Sequence, residues 1–185
     1  MLYTGKGDGG TTTTFGCDQQ RISKSSELPE ALGCLDELNA YLGFVKMRSA
    51  SVAGGARITN AFITNALREA QETLFVVQAE VAGADKRVEN SAVKHIEEIV
   101  SDIEKEIAPL KGFSIAGGTE LSALLDVART LARRAERRVI AVKEMRLREL
   151  PPATMAYMNR LSSLLFALAR LANHQAGVAE ETPHY

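Results

Sequence analysis

Apolar residues recur at three- and four-residue steps along most of the chain, and this spacing predicts a series of amphipathic helices. The first is expected over about 30–48, where one apolar stripe contains Leu32, Leu35, Leu38, Leu42 and Val45. The same pattern predicts four further helices, over about 57–82, 91–107, 120–147 and 152–175. Five helices joined by short turns predict an all-α fold, a five-helix bundle.

Glycine, proline and threonine mark the expected helix ends. Pro109 and Gly112 interrupt the pattern after the third helix, and Thr119 is a predicted N-cap for the fourth. Pro152 stands at the expected start of the fifth helix, where proline is tolerated. The expected single domain, 1–185, divides into a loop segment at 1–29, the bundle at 30–175 and a C-terminal tail at 176–185.

The segment 1–29 differs from the rest, because it is rich in glycine and threonine and lacks helical periodicity. Glycines let backbone N–H groups turn toward an anion, and hydroxyls with Lys6 add further donors, so the composition suits a triphosphate. Asp8 is a candidate ligand for Mg²⁺, directly or through water. A flexible N-terminal tail is the alternative interpretation. The glycines and threonines concerned are Gly5, Gly7, Gly9, Gly10 and Thr11–Thr14.

Two known phosphate-binding motifs do not fit this segment. Gly5-x-Gly7-x-x-Gly10 matches the dinucleotide fingerprint by spacing, but no predicted strand precedes it and threonines stand where a helix should begin. A Walker A loop is excluded as well, because no Gly-Lys-Ser or Gly-Lys-Thr closes the segment.

Composition and charge argue against several classes of function. The 185 residues carry a formal net charge of −1, so no overall field attracts nucleic acid or an anionic membrane. The longest apolar stretch, Leu161–Leu171, contains Arg170 and is too short to span a bilayer. Met1–Gly10 lacks the apolar core of a secretory signal. Isolated Cys17 and Cys34 favour reduced thiols and a cytoplasmic protein, and the histidines and cysteines lack zinc-site spacing.

The densest charge lies in the run from Arg129 to Arg138, in the fourth predicted helix. Arg129, Arg133 and Arg137 are four residues apart and therefore lie on one helical face, where they repel one another. Carboxylates from another element, or phosphate groups, would stabilise such a face. A solvated face with internal Glu–Arg pairs is equally open. A nucleic-acid helix is a weaker choice, since no aromatic residues alternate with the arginines.

Three further positions are candidates for the same site. Asp36, near the apolar stripe of the first helix, would need a cationic partner if buried, and an arginine of the fourth helix from either this chain or a neighbour would supply it. An exposed acidic pair is the other interpretation. Phe113 precedes Gly117-Gly118 in a short apolar segment, where a core contact is the simplest role. Asn159 is polar on an otherwise apolar helix face.

Several blocks of sequence, taken in their order along the chain, resemble the PduO-type ATP:cob(I)alamin adenosyltransferases. The resemblance covers nearly the whole chain, and the arginine block combined with the N-terminal segment is its most specific part. The blocks are Tyr-Thr-x-x-Gly-Asp-x-Gly-Thr-Thr at 3–12, Glu30-Ala31-x-Gly33-x-x-Asp36-Glu37-Leu38-Asn39, Gly117-Gly118, Ala128-Arg129, Arg133-Arg134-Ala135-Glu136-Arg137-Arg138 and Asn159-Arg160-Leu161-Ser162.

The resemblance implies a five-helix bundle that assembles as a homotrimer, with active sites between subunits. It further implies that Arg133 pairs with Asp36 of the adjacent subunit, that Glu136 and Arg137 address ATP, and that Asn159 contacts the nucleotide. Triphosphate and Mg²⁺ would be held by Lys24 and by the loop residues Thr4, Gly5, Lys6, Gly7, Asp8, Gly10, Thr11 and Thr12.

The reaction is implied in the same way. Co(I) of cobalamin, reduced with electrons from a reductase, attacks the 5′ carbon of ATP and expels triphosphate, and the protein aligns the reactants and stabilises the leaving charge. Phe113 would press on the lower face of cobalamin and exclude its axial base, which eases reduction of Co(II). Neither nucleic acid nor a membrane is an expected partner.

The chain departs from the family pattern around its N-terminal loop. The family commonly has a basic residue and a threonine where Gly5 and Lys6 stand, and a lysine in place of Gly9. After Lys24 it tends to carry acidic residues, where this chain has Ser25, Ser26 and Leu28. The departures leave two alternatives open: a nucleotide- or corrinoid-binding bundle without catalysis, and a structural helical oligomer whose arginines meet carboxylates across an interface.

Overall fold

The computed structural model describes residues 3–15, 20–50, 60–109 and 112–184, and this part of the chain is mainly helical. Its helices are α1 (Glu27–Ala50), α2 (Asn60–Ala82), α3 (Asn90–Glu106), α4 (Glu120–Glu144) and α5 (Pro152–Gln175). A two-stranded antiparallel ribbon, β1 (Thr11–Thr12) with β2 (Ile22–Ser23), precedes α1. The predicted five-helix bundle is therefore confirmed. Cys17 lies outside the described residues.

Two predicted boundaries were wrong. α1 begins at Glu27 rather than at residue 30, so that Pro29 lies inside its first turn. The first N–H groups of a helix have no intrahelical acceptor, so a proline there removes no helical hydrogen bond. α4 ends at Glu144 rather than near Leu147, and Arg146 follows in a left-handed conformation with φ 56°. The N-cap prediction was right, because Thr119 Oγ1 accepts a hydrogen bond from the Ser122 backbone N–H at 3.1 Å.

Ion pairs show how the helices are oriented. Arg48 near the end of α1 pairs with Glu120 at the start of α4, and Arg138 near the end of α4 lies 3.5 Å from Glu30, so these two helices are antiparallel. α3 and α5 instead run parallel, because Arg160 of α5 donates to Glu97 of α3 at 3.0 Å, while Ile107, just after α3, lines one cavity with Arg170 near the end of α5. α4 packs against both α1 and α5. One side of α4 therefore faces α1, and another faces α5.

The core is built mainly from leucine, valine and alanine. On α4 the buried face carries Ala128, Ala132 and Ala135, and these small side chains let the neighbouring helices approach closely. The arginines of α4 flank this narrow face instead of entering it. Tyr157 of α5 is a buried aromatic residue of the core, and its burial raises the pKa of the phenol to about 12.

The two ends of the bundle carry different irregular segments. α4 has 25 residues, which at about 1.5 Å per residue gives a length of ~37 Å between those ends. The β1–β2 ribbon lies at the C-terminal end of α4, where Ile22 and Leu147 line one cavity. The segment 112–119 and the chain after α5 meet at the other end, where the Ile115 N–H donates to the Glu181 carbonyl at 2.8 Å.

Candidate active site

The N-terminal glycine-rich segment folds into consecutive tight turns. The Asp8 N–H donates to the Gly5 carbonyl at 3.2 Å, and the Gly10 N–H donates to the Gly7 carbonyl at 3.1 Å. Gly5 and Gly10 adopt left-handed conformations, with φ 67° and 77°, which explains why glycine is needed at these two positions. Residues 4–12 together with Lys24, called the nucleotide loop below, thus form one local unit.

Lys24 lies directly against this unit. Its backbone N–H donates to the Gly10 carbonyl at 2.9 Å, and a Cβ placed on Gly7 would lie 2.9 Å from Lys24 Nζ. The side chains of Lys6, Asp8 and Lys24 form no hydrogen bond or ion pair with another described residue. The loop therefore presents two ammonium groups and one carboxylate to solvent, and their roles toward triphosphate and Mg²⁺ stay predictions.

Arg21 is a residue of this loop that the sequence analysis missed. Its guanidinium donates to Thr11 Oγ1 at 2.7 Å, to the Thr11 carbonyl at 2.6 Å and to the Lys6 carbonyl at 2.5 Å. One side chain thereby ties the turns to β1. No motif marked it in advance, because a lone arginine between Gln20 and Ile22 has no distinctive spacing.

The arginines of α4 divide between two sides of the helix. Arg134 pairs with Glu37 of α1, and Arg138 lies 3.8 Å from Glu27 and 3.5 Å from Glu30. These pairs neutralise the arginines on the side of α4 that faces α1. Arg133 and Arg137 are exposed and form no hydrogen bond or ion pair with another described residue.

Glu136 and Asn159 come together across α4 and α5. The Asn159 amide donates to a Glu136 carboxylate oxygen at 3.1 Å, and its own carbonyl accepts from Arg160 at 2.9 Å. Two residues that the sequence analysis assigned to the nucleotide are therefore neighbours, and the unpaired Arg133 and Arg137 lie on the same stretch of α4.

A groove of about 330 Å³ runs along this face, between α3, α4 and α5. Arg133 and Arg129 line it from α4, and Phe166 lines it from α5. Arg129 is held inside its own helix by Asp126, at 3.3 Å. The groove therefore combines an apolar wall with the guanidinium of Arg133, which pairs with no other described residue, and with the carboxylate of Glu104, so it suits a ligand that has both an apolar part and polar groups.

The groove continues toward Phe113. A second cavity of about 300 Å³ lies beyond it, lined by Phe113, His174 and Val178, and the two cavities share Ile107 and Arg170 in their walls. Phe113 is 78% exposed. The interpretation of this phenylalanine as a core plug was wrong, because its ring lies at the rim of a cavity and not in the core.

Asp36 and Arg133 do not meet within one chain. Asp36 is exposed on α1 and forms no hydrogen bond or ion pair with another described residue. α1 contacts α4 through Arg134 and Arg138, whereas Arg133 lines the groove on the α5 side. The nucleotide loop also lies apart from this groove, since the ribbon that follows it packs at the C-terminal end of α4.

Among the described residues, no group of three or more His, Cys, Asp or Glu side chains is placed to hold a metal ion. No helix in the described parts of the chain has the length and apolar character needed to cross a membrane.

Comparison with known proteins gives a consistent result along the whole chain. Residues 2–172 match the family described as cobalamin adenosyltransferase. The corrinoid adenosyltransferase of Bacillus subtilis (strain 168) is 33% identical, over 97% of this chain and 90% of the relative. The corrinoid adenosyltransferase PduO of Salmonella typhimurium is 35% identical, over 97% of this chain and 53% of the relative.

Solved structures agree. A PduO-type ATP:corrinoid adenosyltransferase from Lactobacillus reuteri, a phenylalanine-to-alanine variant complexed with cobalamin and ATP, superposes with a TM-score of 0.85. Its sequence is 29% identical, and the match covers 100% of both chains. An arginine-to-lysine variant of the Lactobacillus reuteri enzyme, complexed with ATP, gives a TM-score of 0.83 at 28% identity.

The chain belongs to the cobalamin adenosyltransferase family. The resemblance drawn from its sequence blocks is thereby confirmed. The roles that the family resemblance implied for single residues of this cobalamin adenosyltransferase chain stay predictions.

A buried polar cluster at the Phe113 end of this cobalamin adenosyltransferase chain was missed by the sequence analysis. Arg170 is 2% exposed and donates to Asp126 at 2.6 Å and to Ser122 at 3.1 Å. It also pairs with Glu180, and it donates to Ser114. A charged residue inside the apolar stretch Leu161–Leu171 was the available signal, because a buried arginine requires acidic partners.

Proposed function

We propose that this chain transfers the 5′-deoxyadenosyl group of ATP to cob(I)alamin, giving adenosylcobalamin and triphosphate. The observation that carries the proposal is the arrangement along α4 and α5: the Glu136–Asn159 pair, the groove lined by Arg133, and the cavity at Phe113, which shares Ile107 and Arg170 with that groove. Membership of the cobalamin adenosyltransferase family supports it, as do solved relatives complexed with cobalamin and ATP.

The chemistry asks for positioning and charge stabilisation rather than a protein nucleophile. The Co(I) electron pair forms a bond to the 5′ carbon, the bond from that carbon to the phosphate oxygen breaks, and triphosphate leaves with the bonding pair. Negative charge therefore grows on the leaving oxygen. Arg137 and Arg133 can meet that charge, because neither forms an ion pair with a carboxylate among the described residues.

The nucleotide loop would hold the rest of the triphosphate. Lys24, Lys6 and the turned backbone of Gly5–Gly10 offer donors to phosphate oxygens, and the two left-handed glycines fix the turns. The carboxylate of Asp8 fits Mg²⁺, which takes one or two protein carboxylates and completes its shell with phosphate oxygens and water. Such an ion, when bound with ATP, adds charge neutralisation. Thr4, Thr11 and Thr12 supply nearby hydroxyl groups.

Phe113 would close the corrinoid side of the site. An exposed ring on a cavity rim can lie flat against the lower face of a corrin, where it excludes water and the axial base. Cobalt without that ligand accepts an electron more readily. We therefore also propose that a reductase delivers the electron to cobalamin bound at this position, and that the reaction takes place in the cytoplasm.

The separation of Asp36 and the nucleotide loop from the groove favours a site shared between chains. Neither Asp36 of α1 nor Arg133 of α4 pairs with another residue in the described parts of the chain, and within one chain they lie on different sides of α4. We propose that a homotrimer brings them together, so that Arg133 pairs with Asp36 of the adjacent subunit. Arg129 is the less suitable partner, since Asp126 already holds it at 3.3 Å.

The test of the activity is direct. Purified protein is incubated with Mg²⁺, ATP and cobalamin that has been chemically reduced to Co(I), and the absorption spectrum is followed while triphosphate is measured separately. Equal amounts of adenosylcobalamin and triphosphate are expected. Binding of ATP or cobalamin by calorimetry without either product would show the non-catalytic binding bundle, a reading that the altered positions Gly5, Lys6 and Gly9 motivate.

A pair of variants tests the placement of ATP. Arg137→Ala removes an unpaired guanidinium and is expected to lower turnover by roughly a hundredfold, the cost of losing one charge-stabilising donor. Arg138→Ala is the matched control, because Arg138 is engaged with Glu27 and Glu30 and should keep most of the activity. Equal ATP affinity and turnover in both variants would instead favour a structural arginine face.

Charge exchange tests the shared site. Mass measurement in solution is expected to give a trimer, which Asp36→Arg weakens by placing like charges together. Combining it with Arg133→Asp should restore the trimer, whereas Asp36→Arg with Arg129→Asp should not. Restoration by the second combination alone would assign the pairing to Arg129.

A further inference from the structure

We infer that Glu180, in the tail after α5, is a positioning residue that sets Phe113 in place by way of Arg170. The inference rests on the proposed function, because it gives the tail a part in the corrinoid side of that site. The ring of Phe113 is 78% exposed, so packing in the core does not fix the segment that carries it.

Polar contacts hold that segment instead. Ser114 accepts from Arg170, the Gly117 carbonyl accepts from Asn173 Nδ2 at 2.9 Å, and the Thr119 N–H donates to Asn173 Oδ1, also at 2.9 Å. Two residues of the last turns of α5, Arg170 and Asn173, thus carry most of the attachments of residues 112–119. Displacement of either side chain would free the backbone on which Phe113 stands.

Glu180 contacts both of these residues at once. One of its carboxylate oxygens pairs with Arg170, and the other accepts from Asn173 Nδ2 at 3.0 Å. The turn that returns the tail toward α5 is built by Gly177, with φ 67°, and by the Val178 N–H, which donates to the Asn173 carbonyl at 2.9 Å. The tail is therefore folded so that it presents one carboxylate to the two anchors of the Phe113 segment.

The charges explain why the carboxylate matters. Asp126 lies 2.6 Å from Arg170 but is also shared with Arg129, at 3.3 Å. With Glu180 the cluster contains two guanidinium groups and two carboxylates, and without it a buried positive charge is left in excess. A buried arginine that lacks its second anion turns toward another acceptor or toward water, so its bond to Ser114 is the one at risk.

A cavity makes this dependence on polar anchors stronger. The space of about 300 Å³ beside Phe113 has the tail as one wall, through Val178 and Glu180, and α5 as another, through His174. Phe113 and the tail thus line the same cavity. Among the described residues, the tail is joined to the Phe113 segment by hydrogen bonds through Arg170 and Asn173 and by the one from the Ile115 N–H to the Glu181 carbonyl.

The first test compares Glu180→Gln with Glu181→Gln, a neighbouring carboxylate whose side chain forms no hydrogen bond or ion pair with another described residue. Adenosylcobalamin formation is measured from cobalamin reduced chemically to Co(I), and from cob(II)alamin with reduced flavin as the one-electron donor. Only the second route needs Phe113 to displace the axial base. Glu180→Gln should slow that route by roughly tenfold, the effect of weakening one charge-assisted hydrogen bond, and leave the first nearly unchanged.

The spectrum of bound cob(II)alamin gives a second readout. In the presence of ATP, Glu180→Gln should show a smaller fraction of cobalt without its axial ligand than Glu181→Gln does. Glu180→Asp, which keeps the charge, should recover part of that fraction. In a Phe113→Ala background the Glu180→Gln change should have no further effect on either quantity, because the residue acts through the ring.

Three results would overturn the inference. They are equal behaviour of Glu180→Gln and Glu181→Gln, equal loss by both routes to Co(I), and full additivity with Phe113→Ala. Failure of the proposed function looks different, since the unaltered protein would then form no adenosylcobalamin even from Co(I). Hydrogen exchange still tests the anchoring in that case, because Glu180→Gln should speed exchange of the amides of 112–119 and Glu181→Gln should not.

Discussion

The two ends of the bundle hold their functional segments in opposite ways. At one end the nucleotide loop is exposed and is shaped by its own turns and by Arg21, and the side chains of Lys6, Asp8 and Lys24 pair with no other described residue. At the other end the Phe113 segment is fixed to Arg170 and Asn173, whose buried side chains form hydrogen bonds with carboxylate, hydroxyl and backbone groups.

The difference matches what each end is proposed to meet. A triphosphate is itself negatively charged, so its oxygens can pair with the cations of the loop. These cations therefore need no carboxylate partners before the ligand binds. A corrin offers a broad apolar face instead, and a single ring must already stand at the right height and angle to displace its axial base. Rigid anchoring is therefore expected at the Phe113 end.

The largest expected difference between the ends concerns glycine. Gly118 has φ 97°, and a Cβ there would lie 2.6 Å from the Asn173 side chain, so Gly118→Ala strains the backbone and displaces an anchor. We expect the free energy of unfolding to fall by about 2–3 kcal/mol, measured by urea denaturation. Gly9→Ala in the nucleotide loop meets nothing within 4 Å and should change it by less than ~0.5 kcal/mol. Similar losses in both variants would mean that the loop end is as rigid as the other.

A smaller effect is expected from removing a free cation of the nucleotide loop. Lys24→Ala should raise the dissociation constant for ATP by roughly tenfold, because one charge-assisted contact to phosphate is lost, while the melting temperature stays the same. Lys94→Ala, at an exposed position on α3, is the matched control and should bind ATP as the unaltered protein does. Calorimetry with Mg²⁺-ATP at low and high salt would check the result, since the difference between the two variants should shrink as salt rises.

The smallest effect belongs to Arg21. Arg21→Ala removes its hydrogen bonds to Thr11 and Lys6, so the loop loses order that ATP binding must then restore. We expect the affinity for ATP to fall several-fold, which corresponds to about 1 kcal/mol of binding free energy. The spectrum of bound cob(II)alamin should not change. An altered cobalamin spectrum in this variant would contradict the independence of the two ends.

Helical periodicity was sufficient to predict the five-helix bundle, because each helix buries one continuous apolar stripe. Thr119 was predictable for a similar reason, since an N-cap is a local arrangement. The first boundary was predicted wrongly because of Pro29. A proline can interrupt a helix, but it can equally stand in the first turn of one, as it does here.

Contacts between distant residues were harder to predict. The pairing of Glu136 with Asn159, and the Arg170 contacts to Asp126 and Glu180, join residues that no spacing rule connects. Arg170 was visible in the sequence, but only as an interruption of an apolar stretch. Its buried environment, which gives it a role, depends on three segments that meet only in the folded protein.

The position of α4 between α1 and α5 has a consequence for mixtures of chains. If the nucleotide loop of one subunit serves the groove of the next, a chain damaged in the loop and a chain damaged in the groove each keep the half that the other lacks. Co-assembly of Lys24→Ala with Arg137→Ala should then rebuild about a quarter of the sites with both halves intact, as random pairing in a closed ring requires. Two poorly active proteins, unfolded and refolded together, would complement each other.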